Sequence, residues 1–99
     1  MLNINKSCEN EKLTVALEGR LDTTTAPELE KSLKESLGDV SELIMDLGGL
    51  EYISSAGLRV LLSAQKTMMK QGSMKVTHVN ETVMEIFEVT GFVDILTIE

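Results

Sequence analysis

The 99-residue chain has no tryptophan, one tyrosine and two phenylalanines, and only one proline, one cysteine and one histidine. Each scarcity removes a class of function. Without aromatic side chains there is no stacking platform for single-stranded nucleic acid or for sugar rings, and Leu, Ile, Val and Met must fill the core. The lone Cys8 can neither close an internal disulfide nor complete a metal-ligand set, which suits a reducing compartment. The lone His78 would have to serve any Ser-His hydrolase, yet it follows a predicted strand and no Gly-x-Ser-x-Gly elbow accompanies it, so it reads as a strand-end residue. No Cys/His/carboxylate set has metal-ligand spacing, and neither the phosphate-loop lysine motif nor the Rossmann glycine pattern occurs, so no cofactor is expected. No segment reaches the roughly 18 apolar residues of a membrane-spanning helix, and the start of the chain lacks a basic-then-apolar leader. We therefore expect a cytoplasmic protein with no direct membrane insertion. Positive charge is also short: nine Lys+Arg against 16 Asp+Glu leave a net charge of −7, which excludes affinity built on neutralising the phosphates of nucleic acid or an anionic bilayer.

What remains is ordinary globular composition, 42% hydrophobic and 25% charged, in a length that fits one domain over residues 1–99. Leu2 and Ile4, then Leu13, Val15 and Leu17, alternate with polar or small neighbours as half-buried strands do. Cys8 to Lys12 between them reads as a hairpin turn. Thr25 followed by Glu28 has the form of a capping box with Pro27 in the first turn, and Ala26, Leu29, Leu33 and Leu37 draw one apolar stripe along the helix that follows. Glu30 and Lys34 suit a surface pair, and Gly38 stops the helix. Leu43 to Leu47 is nearly continuous in apolar residues, which predicts a central strand covered on both faces, with Gly48-Gly49 as its exit turn. A second helix runs from Ser54-Ser55-Ala56-Gly57 through Leu58, Leu61 and Met68 to about Gly72. Met74, Val76 and Val79 make another strand, Asn80 caps a third helix closed by Gly91, and Val93 to Ile98 form an edge or docked tail. The fold class is α/β. Strands alternating with helices give a four- to five-stranded mixed sheet that begins with an antiparallel hairpin and carries three main helices.

One segment is chemically suggestive. Ser54-Ser55-Ala56-Gly57 opens an apolar helix, where backbone N–H groups point outward and a phosphoryl group of about −1.5 to −2 charges would be tolerated. The same serines also fit a plain N-cap, worth about 1 kcal/mol.

Three motifs, in order and spanning nearly all of the chain, resemble a STAS domain of the anti-sigma factor antagonist family. Glu18-Gly19-Arg20-Leu21-Asp22-Thr23-Thr24-Thr25-Ala26 is similar to the family's strand-to-helix loop, Asp46 to Leu58 to its phosphorylation segment, and Ile86-Phe87-Glu88-Val89-Thr90-Gly91-Phe92 to its last helix. The resemblance implies a regulator and not an enzyme: unmodified, it binds an anti-sigma factor that is a serine kinase of GHKL type and so releases a sigma factor. The kinase phosphorylates it to end the complex, and a PP2C-type phosphatase restores it. Carried onto this sequence, the acceptor is Ser55, with Ser54 as the second choice. The partner surface comprises Asp22, Thr23, Thr24, Ile53, Ser54, Ser55, Ala56 and Gly57. Many family members have aspartate immediately before the acceptor; here Ser54 removes that charge and adds a hydroxyl. The alternative reading is a STAS interaction subunit of a lipid-transport or stress-signalling assembly, and a third is a small hydrolase with Ser55 as nucleophile. A monomer or weak dimer is expected, since an outer strand is open to pairing.

Overall fold

The computed structural model describes residues 2–99. Its elements are β1 (Leu2–Glu9), β2 (Lys12–Leu21), α1 (Ala26–Ser36), β3 (Glu42–Ile53), α2 (Ser55–Gln71), β4 (Ser73–Thr77), α3 (Glu81–Thr90) and a short 3₁₀ turn, Phe92–Asp94. The sheet has four strands in the order β1-β2-β3-β4, with β1 antiparallel to β2 and the remaining neighbours parallel. This is the expected α/β class, with the antiparallel hairpin at the start and three helices.

The hairpin is tighter than expected. Pairing extends to Glu9↔Lys12, so only Asn10 and Glu11 form the turn. Asn10 takes a left-handed conformation, φ 59°, that asparagine tolerates better than most residues. Helix α1 buries Ala26, Leu29 and Leu33, and Leu37 follows them into the core. Glu30 and Lys34 pair at 3.5 Å on its surface, and the last cap, Leu37, stands just before Gly38.

Strand β3 corrects two expectations. Leu43, Met45 and Leu47 are fully buried while Ile44 and Asp46 are half-buried, so the strand is covered on one face rather than both. Gly48-Gly49 is not an exit turn, because the strand runs on to Ile53. Two register shifts explain this: Ala16↔Asp46 is followed by Glu18↔Gly49, and Gly19↔Leu50 by Arg20↔Tyr52. Each inserts one extra residue in β3, and each such bulge flips the side-chain phase. The buried positions therefore step from Leu43, Met45 and Leu47 by threes to Leu50 and Ile53. At the first bulge the strands approach closely: a Cβ on Gly49 would lie 2.7 Å from Glu18 Cγ and 3.1 Å from Leu17 O.

Helix α3 is capped as expected, Asn80 Oδ1 accepting from Val83 N at 2.9 Å, and Gly91 closes it with a left-handed φ of 81°. Asn80 also donates through Nδ2 to Leu50 O at 2.6 Å, which fastens the start of α3 to β3. The tail docks by one parallel bridge, Val76↔Ile98, with Val76 N donating to Thr97 O at 2.8 Å and Glu99 N to Val76 O at 2.9 Å. Val79 is not a strand residue; β4 stops at Thr77.

Candidate functional site

The parallel pairing of β2 with β3 ends at Leu21↔Ile53, so the two segments that leave these strands emerge side by side. Ser54 N donates to Leu21 O at 2.9 Å, tying the start of α2 to the loop after β2. Openings at the carboxyl ends of parallel strands are where this class of fold usually presents its functional loops.

Asp22 organises the first loop. Its Oδ1 accepts from Thr24 Oγ1 at 2.7 Å, Thr24 N at 3.0 Å and Thr25 N at 3.1 Å. The Thr24 hydroxyl, with the two backbone amides helping, holds the Asp22 carboxyl below its ordinary value against an opposing desolvation effect. Thr25, the N-cap residue of α1, makes no side-chain cap. Its hydroxyl instead donates to Arg20 O at 2.9 Å and accepts from Asp22 N at 2.8 Å. The expected capping box is thus replaced by an aspartate-centred turn, because buried Thr25 is turned back toward the strand it leaves. Thr23 and Thr24 are exposed on this loop.

In the second segment the adjacent serines divide two roles. Ser54 is the N-cap: its backbone is extended and its Oγ accepts from Gly57 N at 3.3 Å, while its carbonyl accepts from Leu58 N at 2.9 Å. Ser55 is the first helical residue, exposed, and its hydroxyl makes no hydrogen bond among the described residues. Ser55 N and Ala56 N likewise have no acceptor among the described residues, and the first turn carries no acidic side chain. The site therefore offers a free hydroxyl beside two outward amides at the positive end of a 17-residue helix.

Of the surface expected from sequence, Asp22, Thr23, Thr24, Ser54, Ser55 and Ala56 come together with at least part of their surface open, whereas Ile53 is 1% exposed and Gly57 is buried. These two support the surface from beneath. A Cβ on Gly57 would lie 2.7 Å from Leu21 Cγ and 2.9 Å from Ile53 Cγ1, so the absence of a side chain lets the first turn of α2 sit directly on the strand ends.

Two further contacts have no counterpart in the sequence pattern. The Arg20 guanidinium stacks 4.6 Å from the centroid of the Tyr52 ring, a pairing set by the Arg20↔Tyr52 register. His78, left-handed at φ 57°, places Nδ1 3.2 Å from Asp46 Oδ1 on the open face of the sheet. It is a strand-end residue, as its position suggested.

A model of the STAS domain matches residues 2–99. The chain belongs to the STAS family. BtrV of Bordetella bronchiseptica is 37% identical over 89 residues, covering 87% of this chain and 76% of that protein. The anti-sigma-B factor antagonist of Bacillus subtilis is 33% identical over 101 residues, covering 98% and 92%. Among solved structures, an anti-sigma factor antagonist from Mycobacterium paratuberculosis superposes with a TM-score of 0.90 at 21% identity, covering 99% of this chain and 85% of the other. The anti-sigma factor antagonist SpoIIAA in its unphosphorylated form superposes with 0.84 at 17% identity, covering 98% and 88%. These distant structures share the fold, and within it this STAS chain presents Ser55 at the start of α2. No helix among the described residues is long and apolar enough to cross a membrane.

Proposed function

We propose that this STAS protein is an anti-sigma factor antagonist, and that phosphorylation of Ser55 switches its partner binding off. The observation that carries the choice of residue is the division of labour at the start of α2: the Ser54 hydroxyl is occupied by Gly57 N, whereas the Ser55 hydroxyl is exposed and unengaged. Family membership and relatives that carry the antagonist name support the role. The partner is an anti-sigma factor that is itself a serine kinase of GHKL type, a PP2C-type phosphatase reverses the mark, and the docked surface joins Asp22, Thr23 and Thr24 to Ser54, Ser55 and Ala56.

The switch follows from electrostatics. A phosphoryl group brings about −1.5 to −2 charges into the docked surface. Burying that charge without a cationic partner costs more than the helix start returns, about 0.3–1 kcal/mol. A hundredfold loss of affinity corresponds to about 2.8 kcal/mol, well within reach of one desolvated phosphate. Because the free amides of Ser55 and Ala56 accept the charge locally, the fold need not change.

The test is incubation with the GHKL-type anti-sigma kinase of the same organism and ATP, followed by mass spectrometry of the peptide holding both serines and by binding of variants. We expect phosphate on Ser55, retained binding by Ser55→Ala and weakened binding by Ser55→Asp. Phosphate on neither serine, or equal affinity for the two variants, overturns the proposal.

A further inference from the structure

The outward faces of α2 and α3 carry opposite charge. Helix α2 contains Arg59, Lys66 and Lys70 and no acidic residue, and all three lie exposed on one side, at i, i+7 and i+11. Helix α3 contains Glu81, Glu85 and Glu88 and no basic residue, again exposed on one side, at i, i+4 and i+7. None of these six side chains has an ion-pair partner within 4 Å among the described residues. Each charged stripe is flanked by a large apolar side chain in water: Met69 is 71% exposed beside Lys66 and Lys70, and Val89 is 82% exposed beside Glu85 and Glu88. Together with Ile95 these are the most exposed large hydrophobic side chains among the described residues. The acidic pole continues beyond the helix, because residues 79–99 hold five carboxylates and no Lys or Arg.

We propose that the α2 face of one copy of this chain docks on the α3 face of a second copy, forming a weak, salt-sensitive self-association. Charge complementarity selects the occupant, since the chain itself supplies both halves. Lys66 and Lys70 are spaced i, i+4 and Glu85 and Glu88 i, i+3, so the pairs span about 6 Å and about 4.5 Å along their axes and helices laid side by side can meet charge for charge. Met69 and Val89 add apolar contact at the rim of each stripe. Arg59 stands one turn from Ser55 on the same face of α2, whereas Lys66 and Lys70 lie 11 and 15 residues along the helix from Ser55 and Glu85 and Glu88 lie on α3, so variants at these four positions test self-association apart from the proposed acceptor surface.

Analytical ultracentrifugation over a concentration series to about 1 mM, at about 0.02 M and about 0.5 M salt, tests it. The mass should rise above 10.9 kDa at low salt, and high salt should weaken association about tenfold or more. Lys66→Glu/Lys70→Glu and Glu85→Lys/Glu88→Lys should each lose self-association by about tenfold, since attraction becomes repulsion at two exposed pairs. An equimolar mixture of the two variants should associate again. The pair controls for bulk charge: one variant makes the net charge of −7 more negative and the other less so. General repulsion would therefore move them in opposite directions, whereas a specific contact is lost in both. A wild-type protein that stays at 10.9 kDa throughout, a variant that associates like the wild type, or a mixture that stays monomeric each overturns the proposal.

Discussion

Replacing Gly57 with alanine probes the junction on which the first turn of α2, the proposed acceptor segment, rests. The added methyl would lie 2.7 Å from Leu21 Cγ, 2.9 Å from Ile53 Cγ1 and 3.0 Å from Leu21 Cδ2. Both neighbours are essentially fully buried, Leu21 at 0% and Ile53 at 1%, so neither can swing into solvent. Overpacking of this kind costs about 1–3 kcal/mol. Alanine returns some of that as helix propensity, up to about 1 kcal/mol in a helix interior and less in a first turn. The net expectation is a destabilisation of about 1–2 kcal/mol, which lowers the midpoint of thermal unfolding by about 4–16 °C in a domain of this size. Circular dichroism melting measures it directly. The cause is checked by the cycle with Leu21→Ala: the smaller residue makes room for the methyl, so the double variant should be more stable than the sum of the single effects, by about 0.5 kcal/mol or more. A Gly57→Ala protein that melts at or above the wild-type temperature, or a cycle that is strictly additive, refutes the reasoning that α2 rests on the strand ends through this glycine.

Gly72→Ala should be harsher than Gly57→Ala, because its Cβ would collide with the backbone carbonyl of Ser41, which already accepts from Ser73 N at 3.0 Å; a urea midpoint no lower than that of Gly57→Ala contradicts this. Asn80→Ala removes both the cap on Val83 N and the donor to Leu50 O, and should cost about 1.5–3 kcal/mol in denaturant unfolding. Asn80→Asp keeps the cap but loses the donor, so it should recover only part of that loss. Asp22 contributes stability through a carboxyl whose folded value is depressed, so its contribution is complete above the ordinary aspartate value of 3.8 and is lost as pH falls through the lower folded value. In acid titrations followed by circular dichroism, Asp22→Ala should therefore show a shallower fall in stability than wild type below that pH. Identical acid profiles would count against the loop network.

The elements that were legible in the sequence are those whose period is regular. Helix α1 announces itself by Ala26, Leu29, Leu33 and Leu37, and α3 by Asn80 and Gly91, because a cap residue and an apolar stripe are local properties. Strand β3 was legible only as far as Leu47. Past that point two bulges change the phase, so Leu50 and Ile53 look like fragments of something else although they continue the same buried row. Thr25 misled for a related reason: the residue spacing of a capping box was present, yet its hydroxyl was already used by Arg20 O and Asp22 N, which no local pattern encodes. The stacking of Arg20 on Tyr52 and the approach of His78 to Asp46 are consequences of strand register, and register between distant segments is not written in either segment alone.

In the proposed acceptor segment the family resemblance favours Ser55 over Ser54, but the local residues alone do not separate the two serines, and the reason is geometric. A helix start has one N-cap, and the residue that fills it must leave helical conformation to turn its oxygen onto the amides ahead. Ser54 does so because its amide is held by Leu21 O, the last carbonyl of β2. That hydrogen bond exists only because β2 and β3 end together at Leu21↔Ile53, which in turn requires both extra residues in β3. The bulges that hide the strand from a period-two reading are thus what set the phase in which Ser54 is consumed as a cap and Ser55 is left outside.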